Sequence, residues 1–514
     1  MLVSSATAQG VDVRGVVTDS SNGQRIPFAN ISVIGTRLGV STNLNGFFLI
    51  TNVPPGKYVM VASAIGYAHI GQTVEIRGRE PITVNFILSP QAVEVSEVIT
   101  EGTQSPEKAT ATSIHVFGSK EIQDIPVAGA QDVLRAIQIL PGIVSSSDVS
   151  AKFFVRGGAG DQNLILLDGM KMYNPFHAFG IFSVFDPDII STAEVFTGAF
   201  PAGYGNRLSS VINLTTKAGN TTRFSGKGEL NFLNAKVQLE GPINEDNSWL
   251  VNYRTSLSSN VFKHFLRTSI PVSFYDVFFK GTLGGATGRN SLRAFFSGDK
   301  ITSDRPDEPD YSWDNYSIAG SLSGLAYDRV YVDAFAYSSS FRVKRDPKHS
   351  AIILPAESRV GDDGLRVEFT VHTESQNVWL AGFQFDLPEY EFTYATASNS
   401  NRTFRGTDPE LWLWGRYQLH FGALQTDLGI HSDVLTVLDN GLSLQGFQPR
   451  VSLVYQLSNA WRTKFGAGVY NQRVITISNE DDITSLFDAW ISIPKELKFE
   501  EAHHYVFGVE GMIV

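Results

Sequence analysis

The sequence predicts a mostly β protein: a small N-terminal β-sandwich, then a small mixed α/β region, then part of a large antiparallel β-barrel of the transmembrane kind. Three observations predict it. Between residues 11 and 90, short alternating runs such as "VDVRGVV", "NISVIG" and "KYVMVASAIGY" are cut by turn signals at Ser21-Asn22-Gly23, Asn45-Gly46 and Pro54-Pro55-Gly56, the pattern of closely spaced strands in a sandwich. After Gly219 the runs lengthen to about ten alternating residues with Phe, Tyr and Trp near their ends, as in "SFYDVFFKGTLG" and "RVYVDAFAYSSSF"; such strands can face lipid on one side and a lumen on the other. No window reaches the roughly 18 continuous apolar residues that a membrane helix requires, so a chain of this kind that spans a bilayer does so with strands.

Composition removes several classes of function. At 514 residues, 42% of them hydrophobic, the chain is too long for one ordinary domain. A net charge of -11 offers no electrostatic footprint for nucleic acid. With no cysteine there is neither a disulfide framework nor a thiolate nucleophile or metal ligand. The ten histidines include no H-E-x-x-H, and the adjacent His503-His504 lies in an alternating strand, where one ring must face each way. No G-x-S-x-G occurs either. No catalytic set, metal site or cofactor is expected.

Taken in order, residues 1–10, "MLVSSATAQG", read as the tail of a signal peptide with an A-x-A pattern at Ala6-Thr7-Ala8. The sandwich spans 11–90. Residues 91–111 form a linker whose one strand-capable segment, "VEVSEVIT" from Val93 to Thr100, could add to the edge of another protein's sheet. On the residues alone an ordinary linker strand is an equal reading. Residues 112–219 hold the α/β region, with short helices in "SKEIQDIP" and "GAQDVLRAIQILPGI", the second stopped by Pro141. Strands follow in "KFFVRG", "NLILLDG", "STAEVFTG" and "SSVINLTTK". The barrel strands occupy 220–514 in about a dozen readings.

Gly157-Gly158-Ala159-Gly160 looks like a phosphate-cradling loop, but it leads into Asp161-Gln162-Asn163 and the strand "LILLDG". No helix N-terminus faces a phosphate there, and neither G-x-G-x-x-G nor G-K-[ST] is complete. Instead "VLRAIQILPGI", "FFVRGGAGDQNLILLDGMKMYNPFHAFGIFSVFDPDII" and "AEVFTGAFPAGYGNRLSSVINLTTKAG" together resemble the plug domain of TonB-dependent outer-membrane receptors. The text from Gly15 to Tyr67 resembles the carboxypeptidase regulatory-like domain that precedes the plug in the Bacteroidetes type. The matching plug elements are Arg156, Gly157, Gly158, Asp168, Gly169, Tyr204 and Gly205. The resemblance implies that the glycines serve tight turns and close packing.

The same resemblance implies a function and its parts. Val95, Ser96, Glu97, Val98, Ile99 and Thr100 fall where the family carries its TonB box, the segment that a TonB-type energy-coupling protein captures by strand addition. The implied role is active import of a scarce nutrient across the bacterial outer membrane, with the sandwich in the periplasm and the barrel in outer-membrane lipid. The ligand would be a small one: an iron chelate, glycan, peptide or cobalamin. A surface lipoprotein lid is known in part of the family, although "DVLRAIQILPGI" departs from the wording of that branch. The rival is a static scaffold or surface-binding component of an envelope assembly, in which the box would be dispensable. Family barrels close with about 22 strands, so the expectation is a partial barrel, completed by residues outside this sequence or by a second chain. Candidate substrate-facing residues are Tyr173, Asn174, Phe176 and His177 at the plug apex, with packing against the wall as the equal alternative. Tyr311 and Trp313 join them from the acidic-aromatic stretch Ser303 to Ser317, read as a loop that most often is only solvated. Arg156 is expected to anchor the plug to lumenal carboxylates.

Overall fold

The computed structural model describes residues 10–36, 38–78, 80–91, 112–125, 131–145, 151–231, 233–257, 272–303, 305–306, 308–348, 355–395, 401–434, 446–458, 460–477, 489–493 and 497–511. The segment Val95 to Thr100 and residues 1–9 lie outside them.

The sandwich forms as the turn signals predict. Strand Val11–Asp19 pairs antiparallel with Phe47–Val53 and parallel with Ile82–Thr83 and Phe86–Leu88. The facing sheet runs in the order Gly39–Ser41, Asn30–Val33, Gly56–Ser63, Ile70–Ile76. Because successive side chains point to opposite faces, Val11, Val13 and Val17 meet Phe48, Ile50, Met60 and Phe86 in one core. Full burial of side chains of this size stabilises by about 1.5–3 kcal/mol each.

The middle region is a five-stranded mixed sheet in the order Met170–Lys171, Asn163–Leu167, Ser210–Thr216, Ile190–Phe196, Ile114–Gly118. Asn163–Leu167 runs parallel to Ser210–Thr216 and the other pairs are antiparallel. Both expected helices are present, at Ser119–Asp124 and Val133–Ala136, the second capped by Asp132, whose carboxylate accepts from Arg135 N at 3.0 Å. It tightens into a 3-10 turn over Ile137–Ile139, and Leu140, held extended ahead of Pro141, ends it.

Asp168-Gly169 is a two-residue hairpin turn, with Leu167 paired to Met170 and φ of 48° and 86° at the two turn positions. Positive φ at both central residues is what such a turn requires and what Asp-Gly supplies. A Cβ on Gly169 would lie 3.1 Å from the Phe335 ring. Gly169→Val is therefore expected to cost about 1–3 kcal/mol, read as a lower midpoint of chemical unfolding in detergent. Gly169→Asn, which tolerates the left-handed conformation, should lose less.

From Ser225–Leu230 to Glu500–Gly511 the strands form one antiparallel sheet of 15 strands. Among the described residues, each of those two end strands has a neighbour on one side only. Its alternation is regular: along Val272–Gly284, Phe274, Asp276, Phe278, Lys280 and Thr282 turn inward while Tyr275, Phe279 and Leu283 are exposed. The neighbouring strands continue the outer apolar band with Leu292, Phe296, Ile318, Phe385 and Leu413. A band this extensive, over an inner face rich in charge, is what strands show when lipid is their outer solvent.

One expectation changes here. Tyr311 and Trp313 are not in a loop, because strand Asp310–Tyr327 already includes them, in register with Ile301 and Asp299 of the strand before. The alternation of this strand, with Trp313 and Asn315 inward and Tyr316 outward, outweighs the acids and proline that give the stretch its loop-like composition.

Candidate functional site

The α/β region sits against the inner face of the large sheet and shares its core. Leu134, Ile137, Phe153, Val195 and Leu214 pack in one cluster with Phe278, Phe295 and Tyr337 of the wall. Apolar contact is non-directional, so the position of the plug is set by the polar contacts around it, which gather in three charged clusters.

The first is built on the hairpin turn. Asp168 accepts from Thr216 N at 2.8 Å and from Lys280 Nζ at 3.0 Å, and Arg293 donates to the Asp168 carbonyl at 3.2 Å. Burial pushes this carboxyl up, but Lys280, Arg293 and the Thr216 bonds outweigh it and hold it below its ordinary value. In the second, Lys171 Nζ lies 2.6 Å from Asp362 and 2.8 Å from Asp386. The Tyr337 hydroxyl is 3.1 Å from both acids, and Tyr173 donates to Asp362 at 3.3 Å. Burial disfavours the ammonium, yet the two carboxylates raise Lys171 well above its ordinary value and keep it charged.

The third centres on His177, which is 0% exposed. Its Nδ1 is 2.6 Å from Asp299 and its Nε2 is 2.6 Å from Asp276. Its ring stacks on Phe274 with centroids 4.3 Å apart, and Arg254 donates to Asp276 at 2.6 Å and to the Ser183 carbonyl at 2.8 Å. Burial lowers the imidazole's affinity for a proton, but both carboxylates favour the cation and push it up to about 9. Doubly protonated, the ring donates to both acids.

A fourth contact holds the turn at Pro201 to Asn206. Arg450 donates to the carbonyls of Pro201 and Tyr204 at 2.7 and 2.6 Å, Arg366 to that of Gly203 at 2.6 Å, and Asn206 to Glu410 at 3.0 Å. A Cβ on Gly205 would come within 2.5 Å of the His431 ring, so the glycine of Tyr204-Gly205 permits the wall to approach the backbone.

The apex residues Tyr173, Asn174, Phe176 and His177 and the strand residues Tyr311 and Trp313 do come together, and they meet as plug against wall. Trp313 Nε1 donates to the Phe176 carbonyl at 3.0 Å and Asn315 to that of Asn174 at 3.2 Å. Tyr173, Tyr311 and Trp313 share an aromatic cluster with Trp490. Arg156 departs from expectation: it donates to Ser113 and Thr197 of its own domain, at 3.1 and 3.2 Å, in place of barrel carboxylates. The sharp turn at Arg156-Gly157, both at positive φ, aims the guanidinium back across the plug. His503 and His504 do face opposite ways, His503 to Glu501 at 2.7 Å and His504 accepting from Ala199 N at 3.1 Å. Among the described residues no group of three or more His, Asp or Glu could hold a metal ion.

Sequence reasoning missed the wall partners Asp276, Lys280, Asp299, Asp362 and Asp386. Their one local signal is a charge at an inward position of an aromatic-rich alternating strand, as with Asp276 and Lys280 four residues apart in "FYDVFFKG".

The sandwich packs on hairpin turns of the large sheet. Arg329 grips Asp12 with two bonds of 2.6 and 2.9 Å, Asn45 donates to Ser323 and Tyr331 at 3.0 and 3.1 Å, Thr51 donates to the Thr373 carbonyl at 2.8 Å, and Phe47 stacks on Tyr331. Between sandwich, plug sheet and wall lies a cavity of about 440 Å³.

Comparison with known proteins agrees with this architecture. Residues 13–100 match the CarboxypepD_reg-like domain, and residues 106–210 match the TonB-dependent Receptor Plug Domain. Among curated proteins, the chain is similar to TonB-dependent receptor P39 of Formosa agariphila, 29% identical over 43% of this chain and 21% of that protein. TonB-dependent receptor P3 of the same organism is 26% identical over 42% of the chain and 21% of its own length. The matched region thus spans about a fifth of these relatives. In fold the chain is similar to the siderophore receptor PirA of Pseudomonas aeruginosa, with a TM-score of 0.57 and 15% identity over 79% of this chain and 72% of that one. It is also similar to P. aeruginosa FpvA bound to heterologous pyoverdines, with a TM-score of 0.58 and 13% identity over 80% and 62%.

Proposed function

We propose that this chain, which carries the plug and CarboxypepD_reg-like domains of TonB-dependent receptors, belongs to an outer-membrane importer that takes up a scarce small nutrient by active transport and performs no catalysis. The observation that carries the reading is the way the plug is held. Its apolar core is shared with the wall, but its position depends on separate polar clusters at Asp168, Lys171, His177 and the turn at Pro201 to Asn206. Such contacts can break one after another, so a modest pull suffices where a continuous apolar interface would need to shear at once. In sequence the linker 91–111 connects the sandwich to the plug, so a pull on it reaches the plug sheet first at strand Ile114–Gly118. In this reading the sandwich faces the periplasm, Val95 to Thr100 is the segment captured by a TonB-type partner, and the exposed apolar band lies in lipid. Substrate would meet the plug on the face opposite the sandwich.

Because the chain lacks cysteine, single cysteines at Val95 to Thr100 in the intact gene product can be tested for disulfide trapping to a cysteine-bearing TonB C-terminal domain in cells. Position-dependent trapping, strengthened by one of a panel of iron chelates, glycans, peptides and cobalamin, is the expected result. Absence of trapping at every position, with the barrel folded in the outer membrane, would favour the scaffold reading.

A further inference from the structure

The cavity of about 440 Å³ between the sandwich, the plug sheet and the wall is large enough for a small molecule. The acids on its wall are Asp168, Glu368, Asp386 and Asp427, engaged with Lys280, Arg366, Lys171 and Arg416, together with Glu194, which accepts from Asn213, and Asp333. Of the guanidinium groups lining it, Arg25 donates to the carbonyls of Gly285 and Gly288, Arg366 to Gly203, Arg293 to Asp168, Arg416 to Asp427, and Arg450 to Pro201 and Tyr204. Arg289 differs. Its guanidinium makes no hydrogen bond or ion pair among the described residues, its Nε is buried without a partner, and Arg25 bears on it as a like charge more strongly than Tyr331 and Asp168 favour it from a distance.

A half-buried cation with no carboxylate in contact, beside a second cation, is a costly arrangement unless something of opposite sign completes it. A guanidinium offers a planar fork of donors that fits a carboxylate or phosphate through two parallel bonds. We propose that this chamber is a binding site for a small carboxylate- or phosphate-bearing anion, seated on Arg289 with Arg25 at its edge. The anion gives Arg289 the direct contact of opposite charge that no wall residue makes, and the docked sandwich forms one side of the chamber. Arg289 lies ten residues along its strand from Asp299, the partner of His177. It stands independently of the transport reading, since it is a statement about binding at equilibrium.

The test is calorimetric titration of the intact gene product in detergent at low salt with inorganic pyrophosphate and with tricarballylate, using raffinose as the neutral control. Saturable binding of at least one anion is expected, with none for raffinose. Arg289→Met should weaken it by about tenfold or more, while Arg405→Met, at an exposed pair with Glu391, leaves it unchanged. Arg289→Met should also unfold no more readily than the wild type, because it removes an unpaired charge. Asp12→Asn, which loosens the Arg329 grip on the sandwich, tests access. Failure of both wild-type and Asp12→Asn protein to bind either anion overturns the proposal. So does unchanged affinity in Arg289→Met, or a fall in its unfolding midpoint, which would mark Arg289 as structural.

Discussion

Replacing His177 with glutamine is expected to remove a pH dependence from the plug's hold on the barrel, one that the wild-type protein shows between about pH 6.5 and 9. The folded-state value is raised, from 6.5 to about 9. The stabilisation from the imidazolium is therefore complete below the unfolded value and is lost as pH rises through the folded one. The groups facing the ring are Asp299, Asp276 and, on Asp276, Arg254, and above pH 9 Asp276 retains Arg254 while Asp299 retains the bond from Ala178 N. At 1.36 kcal/mol per pKa unit the whole effect is on the order of 3 kcal/mol. His177→Ala removes the cation and both bonds at once, and is expected to cost about 3–5 kcal/mol. Hydrogen-exchange mass spectrometry of peptides covering 176–185, corrected for the intrinsic pH dependence of exchange, provides the readout. Wild-type protection should fall between pH 7 and 9.5 and that of His177→Gln should stay flat. Equal slopes for the two proteins would dismiss the latch.

Asp168→Ala is expected to weaken the plug as strongly and to let the barrel leak. Removing this carboxylate leaves Lys280 and Arg293 buried beside each other without their counter-charge and the Thr216 N–H without its acceptor, a loss of about 3–5 kcal/mol. It also places alanine at a φ of 48°, which asparagine tolerates better. Asp168→Asn thus separates charge from turn geometry: it should keep the hairpin and lose most of the electrostatic hold. Combining it with Lys280→Met should recover part of the loss, because removing both partners costs less than stranding one. Unfolding midpoints and single-channel conductance in planar bilayers measure the two consequences. An Asp168→Ala protein as stable and as tightly sealed as the wild type would mean that the shared apolar core alone holds the plug.

The legible part of the fold was the part governed by local rules. The turn signals at Asn45-Gly46 and Asp168-Gly169 and the strict alternation after Gly219 depend on φ preferences and on the two-residue period of a strand, which neighbours in sequence already express. The stretch around Trp313 misled because acids and proline suggest a loop, whereas pairing with Val272–Gly284's other neighbour, Arg289–Ile301, decides its conformation. Arg156 misled for a related reason: the motif marks a turn, and which way the turn aims the guanidinium depends on Ser113 and Thr197, distant in sequence.

By itself the sequence determined the three-part architecture, the absence of membrane helices and of thiol chemistry, and the glycine-bearing turns of the plug, all of which follow from composition and short-range backbone preference. Only the tertiary structure decided which charges meet. His177 lies 122 residues from Asp299, and Lys171 lies 191 from Asp362. Their pairing follows from how far each strand is staggered around the plug, a sum over many registers that no local window contains. The chamber beside Arg289 has the same origin, for it exists only where sandwich, plug sheet and wall, distant in sequence, come together.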